Sequence, residues 1–131
     1  MAMPLIKQIL NRIVGLEKSN TYSTEEIVIG KWIDGKPLYR KVLSMGDCSK
    51  NSEVRVATGI SNLKEITNLY GKCKLFIEPS YTFSLPIPYC SREMEQIVQI
   101  FSADYENTIG IGSNTDIKNI YVIIEYTKTT D

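Results

Sequence analysis

From position 22 the chain runs Tyr22-Ser-Thr-Glu-Glu-Ile-Val-Ile-Gly-Lys-Trp-Ile-Asp-Gly-Lys-Pro-Leu-Tyr-Arg-Lys-Val-Leu43. No other stretch constrains the fold as firmly. β-Branched and aromatic residues flank Ile33-Asp-Gly-Lys36, and Asp-Gly supplies the positive φ angles that tight hairpin turns require. Two strands are predicted, over 26–33 and 37–43. A two-residue turn would place Gly30 opposite Tyr39. A one-residue bulge would instead set Val28 against Val42 and Trp32 against Leu38, and the residues leave both registers open.

The hairpin is preceded by a different periodicity. Pro4 suits a first helical turn, where its missing N–H costs nothing. Ile6, Ile9, Ile13 and Leu16 then recur at alternating spacings of three and four, the a/d pattern of a coiled coil. The pattern predicts a helix over 4–18. Its stripe fits a trimeric coiled coil, and it fits equally an amphipathic helix packed on its own domain.

Beyond the hairpin, a polar connection is expected over 47–52 and a short strand over 53–58, with Val54 and Val56 on one face. Residues 62–71 read as one or two helical turns, with Asn62 as N-cap, Gly71 as terminator and Leu63, Ile66 and Tyr70 on the buried face. Residues 72–78 alternate, with Cys73, Leu75 and Ile77 inward. Residues 79–88 read as an apolar loop around Pro86 and Pro88, 95–102 as a strand, and 107–119 as a turn-rich segment. In the closing strand, 119–127, Ile120, Val122, Ile124 and Tyr126 face a core. Tyr121 and Ile123, on its other face, are also apolar, which predicts a second layer or a neighbouring subunit there. The predicted organisation is a helical segment over 1–20 and a mainly β domain over 21–131, an antiparallel β-sandwich or jelly-roll-like fold.

Composition narrows the chemistry. The 131 residues suffice for one core, and 15 basic residues balance 15 acidic ones. A zero net charge gives no long-range field for nucleic acid or anionic lipid. No histidine is present, which removes the commonest general base and metal ligand. The three cysteines, Cys48, Cys73 and Cys90, lie far apart, so neither a zinc site nor a disulfide framework is expected. Glu25-Glu26 and Glu93 with Glu95 are carboxylate pairs, but neighbours on one strand point to opposite faces and do not flank a sugar cleft. Gly110-Ile-Gly112 lacks the lysine and helix start of a phosphate loop and reads as a turn. Asn114, Asp116 and Asn119 lack the carboxylate density of a calcium loop. No catalytic site, cofactor site or metal site is predicted. No apolar run approaches the ~20 residues of a membrane span, and the start, Met1-Ala-Met-Pro-Leu-Ile-Lys7, lacks a secretory pattern.

Binding remains. Sugars stack on aromatic rings, and Tyr81, Tyr89 and Tyr105 fall in or near predicted loops, with Asn107 and Asn114 able to bond hydroxyls. These five are the candidate ligand contacts. Core or subunit packing of the same rings is the alternative.

The element Tyr22-Ser-Thr-Glu-Glu26, followed by Gly30, Trp32, Asp34-Gly-Lys-Pro37 and Tyr39, resembles one found in fibre and receptor-binding proteins of tailed bacteriophages that infect gut bacteria. The segment Ser61-Asn-Leu-Lys-Glu-Ile-Thr-Asn-Leu-Tyr-Gly71 and the ending Ile124-Glu-Tyr-Thr-Lys-Thr-Thr-Asp131 are similar to that family too. Residues 78–119 match no pattern of it. The resemblance implies a non-enzymatic homotrimer on a virion, in a tail or head fibre, assembled in the host cytoplasm beside other virion structural proteins. It implies binding to host cell-surface glycan without cofactors, nucleic acid or membrane insertion, with Ile6, Ile9, Ile13 and Leu16 holding three helices together. A structural trimerisation, attachment or capsid head-fibre piece without receptor binding is the alternative it leaves.

Overall fold

The computed structural model describes residues 5–10, 12, 21–78 and 81–131, with 76–78 and 81 by backbone alone. Residues 5–10 are helical. Ile13 and Leu16 lie outside the described residues. On the described part of the helix, Leu5, Ile6, Ile9 and Leu10 are all exposed, by 48–60%.

Among the described residues nine strands follow: β1 (Ile27–Lys31), β2 (Pro37–Cys48), β3 (Ser52–Ala57), β4 (Leu63–Glu78), β5 (Tyr81–Ile87), β6 (Tyr89–Ser91), β7 (Gln96–Ala103), β8 (Thr108–Ser113) and β9 (Ile117–Lys128). The fold is mainly β, as expected. Every pairing is antiparallel, in a five-stranded sheet ordered β1-β2-β9-β4-β5 and a four-stranded sheet ordered β3-β8-β7-β6. The last strand enters the middle of the larger sheet, which explains its sequence: Ile120, Val122, Ile124 and Tyr126 are fully buried. Both sheets feed one core, with Leu43, Cys73 and Leu75 from the larger meeting Val98, Ile109 and Ile111 from the smaller. Cys73 faces inward as the alternation predicted, and burial raises its thiol pKa to about 11. All three cysteines are unpaired.

The hairpin forms in neither anticipated register. Ile33-Asp34-Gly35 is a three-residue loop: the Trp32 carbonyl accepts from Gly35 N at 2.9 Å, and Trp32 N donates to the Lys36 carbonyl at 2.9 Å. Gly35 alone takes the left-handed conformation, at φ +83°, as such loops require. Asp34 Oδ1 accepts from Lys36 N at 3.0 Å. The pairing starts as Lys31 with Pro37 and Gly30 with Leu38, then slips at a bulge so that Val28 meets Tyr39.

The largest correction is at 62–71, which is strand. Leu63, Ile66 and Leu69 do pack on the core, but their spacing of three has another origin. The ladder with β9 shifts between Leu63 and Glu65 and again between Ile66 and Asn68. Each bulge inserts a residue and resets which face is inward, so apolar positions recur every three residues in an extended chain. Tyr70 consequently faces outward, opposite Ile123.

Three further segments are more regular than their residues imply. β2 runs on to Cys48, so the connection shrinks to 49–51. The apolar loop over 79–88 contains β5, paired along β4 despite Pro86, which a sheet edge tolerates. The turn-rich 107–119 contains β8, where Gly110 sits directly opposite Phe101 and is covered by its ring.

Candidate functional site

The outward rows of the larger sheet follow from its register. Arg40 stands opposite Glu125, which stands opposite Asn68; the next outward row is Val42, Ile123, Tyr70, and the next Ser44, Tyr121, Lys72. The surface is therefore polar, then apolar, then polar along the strand direction. The arm ahead of β1 turns this face into a groove. Ser23 O accepts from Val42 N at 2.9 Å, and Arg40 Nη2 donates to Thr21 O at 2.7 Å. The Arg40 guanidinium lies 4.0 Å from the centre of the Tyr22 ring, a cation–π contact that stands the ring up as a wall.

The resulting concavity, about 680 Å³, is walled by Tyr22, Tyr70 and Tyr121 over a floor of Val42 and Ile123. Its size lies within the ~300–1,000 Å³ of ordinary ligand sites. Gly71 belongs to it because β4 and β9 approach closely there, and a Cβ would collide with the Tyr121 carbonyl oxygen. The Tyr70 hydroxyl donates to Glu125 Oε2 at 3.2 Å. Burial, the bond with Tyr22 and the Glu125 charge raise its pKa well above the usual tyrosine range. It stays protonated as a fixed donor.

Tyr121 is also the boundary of a second depression, about 380 Å³, reached past Lys72 and lined by Lys74, Ser84 and Asn119. Lys74 stands directly opposite Lys118. The Lys72 ammonium lies 6.0 Å from the Tyr121 ring centre. The two depressions together offer three phenol rings and exposed ammonium groups on rigid strands, a surface suited to holding a ligand.

The residues singled out by sequence are placed elsewhere. Tyr105 is 99% exposed at the β7–β8 tip, where Asp104, Tyr105 and Glu106 are consecutively left-handed. Asn107 shares that tip, its carbonyl accepting from Thr58 N at 2.8 Å. Asn114 is at the other end of β8, and its side chain braces a neighbouring turn by accepting from Ile97 N at 2.9 Å and donating to Glu95 O at 2.7 Å. Tyr89 is half-buried against the core. Tyr81 starts β5, and its side chain is outside the described residues. Of those whose side chains are described, only Tyr105 and Asn107 come together. The groove's own residues carried one visible signal, the apolar outward pair Tyr121 and Ile123; Tyr70 was hidden by the bulges.

Of the residues that carry the resemblance, Tyr22, Tyr70 and Gly71 line the groove, and five others meet in a separate cluster. The Tyr126 hydroxyl donates to Glu26 Oε1, and Lys128 Nζ pairs with Glu26 Oε2 at 2.7 Å. Tyr39 stacks on Tyr126 with centroids 5.7 Å apart and donates to Asp131 Oδ2 at 2.5 Å. Burial first, and then the bond to Glu26, raise the Tyr126 pKa far above its ordinary value.

Among the described residues no group of three or more His, Cys, Asp or Glu is placed to hold a metal ion, and no helix is long and apolar enough to cross a membrane. Fold and surface together define a mainly β module of two antiparallel sheets with one open, tyrosine-walled face. Compared with protein-family models, with curated proteins and with solved structures, the chain matches none.

Proposed function

We propose that this chain is a non-enzymatic adhesion module of a bacteriophage virion, a tail- or head-fibre piece that trimerises through its N-terminal helix and binds host surface glycans. In this reading the β part is a sandwich presented outward by a coiled coil, assembled in the host cytoplasm with other virion proteins. The observation that carries it is the exposure of Leu5, Ile6, Ile9 and Leu10 on a short helix, beside a β part that closes its own core. A helix so short is marginal in water by itself, and so much exposed apolar surface favours a partner. Two more copies of the same stripe supply one, with Ile13 and Leu16 continuing the seam. Three sites on one rigid body then bind a repetitive polymer by avidity.

The second reading, a trimerisation or attachment piece without receptor binding, has its own support. Glu26, Tyr39, Tyr126, Lys128 and Asp131, which carry part of the resemblance, hold the sheet together and, unlike Tyr22, Tyr70 and Gly71 of the same segments, lie outside the groove. A bacterial glycan array probed with the intact protein separates the two: saturable binding is expected for adhesion, and none at high protein concentration leaves the scaffold.

A further inference from the structure

We propose that the two depressions flanking Tyr121 are consecutive subsites for a linear, anionic bacterial polysaccharide. One sugar ring stacks in the tyrosine groove, and the next presents its carboxylate or phosphate to Lys72 and Lys74. The inference rests on the adhesion reading above and names the ligand class and the site.

Four observations support it. First, the wall rings are held in place before any ligand arrives: Tyr22 by Arg40 and Thr21, Tyr70 by Glu125. A preordered site loses less entropy on binding. Second, the floor of Val42 and Ile123 is apolar while its ends carry a phenol hydroxyl, a carboxylate and an ammonium. A pyranose has that same division, C–H faces that lie on π surfaces and an equator of hydroxyls.

Third, Tyr121 and Lys72 line both concavities, the groove and the separate depression of about 380 Å³, so there is space on two sides of the ring, which suits a chain rather than a single sugar. Fourth, the far side is basic. Lys72 and Lys74 project from one face of β4, both are exposed, and both line this depression beside Tyr121, so their ammonium groups can be offered to one anionic group seated there.

The test uses the full chain on an array of purified bacterial capsular and O-antigen polysaccharides, acidic and neutral, with calorimetry on size-graded fragments of the bound one. The inference predicts acidic polymers bound, affinity rising from one repeat to two and falling with added salt. Tyr121→Ala is expected to weaken binding about tenfold or more, on the scale of other lost ring-stacking contacts. Lys74→Ala is expected to weaken it severalfold, and Tyr105→Ala to change nothing. Both Tyr121 and Lys74 are exposed, so these variants fold, and circular dichroism verifies it. Equal binding of neutral polymers overturns the inference, as does loss of binding in Tyr105→Ala with retention in Tyr121→Ala; in both cases adhesion stands. A lower assembled mass for Tyr121→Ala assigns the face to a subunit contact and overturns it too. No binding to any polymer overturns the adhesion reading along with it.

Discussion

Tyr126 shows how one side chain joins distant parts of this molecule. Its ring is fully buried in the middle of the larger sheet, and its hydroxyl reaches Glu26 in the arm ahead of β1. Tyr126→Phe removes that bond and leaves Glu26 to Lys128 alone. Urea unfolding is expected to register a loss of about 1–2 kcal/mol. Tyr39 and Tyr126 also set an alkaline limit. The bond to Asp131, and then burial, raise the Tyr39 pKa to about 12, and Tyr126 is raised as well, whereas unfolded tyrosine titrates near ~10. The folded chain holds these protons more firmly. The stability these two tyrosines contribute is therefore complete below about pH 10 and declines as pH rises toward about 12. The double variant Tyr39→Phe with Tyr126→Phe should flatten that decline in pH-dependent melting. Gly71 imposes a steric limit in the same sheet. Gly71→Ala drives a Cβ into the Tyr121 carbonyl oxygen, and a destabilisation of about 1–3 kcal/mol is expected, as in other overpacked sites.

Strands differ in how plainly their residues announce them. β9 was legible because it is central and alternates inward from Ile120 to Tyr126, so period two and burial coincide over that stretch; its bulge falls before it, between Ile117 and Ile120. β4 was not, because its bulges convert period two into an apparent period of three, which one sequence cannot distinguish from a helix. The groove failed to be read for the same reason: with Tyr70 assigned to a buried helical face, the outward row Val42, Ile123, Tyr70 could not be assembled. The glycines of β8 looked like turns because the ring that covers Gly110 comes from another strand. A deletion tests the bulge account. Thr67 is the inserted residue between Ile66 and Asn68, so removing it leaves Ile66 against Tyr126 and Asn68 against Glu125 and straightens the ladder without turning Leu63 or Ile66 from the core. Urea unfolding should register only about 1 kcal/mol, for the lost bond from Thr67 to the Glu125 carbonyl. A loss of roughly 3 kcal/mol or more, the cost of turning both side chains out at ~1.5–3 kcal/mol each, would refute the reading of β4 as a bulged strand.

At the scale of the whole molecule, the division of labour is between a β body that closes its own core and a helix that exposes Leu5, Ile6, Ile9 and Leu10. The core cluster, among the described residues, draws only on the strands and the loops between them. Removing 1–20 should therefore leave far-UV circular dichroism of a β protein and a melting temperature within a few degrees of the full chain. On the proposed trimeric adhesion reading, polymer binding by the shortened chain should weaken by far more than the loss of neighbouring sites alone explains, because joint engagement would be gone. The most direct test is the mass of the full chain by multi-angle light scattering. Three chains per particle, reduced to one by Ile9→Asp together with Ile13→Asp, is the expected result. A single-chain mass for the unaltered protein would contradict the account.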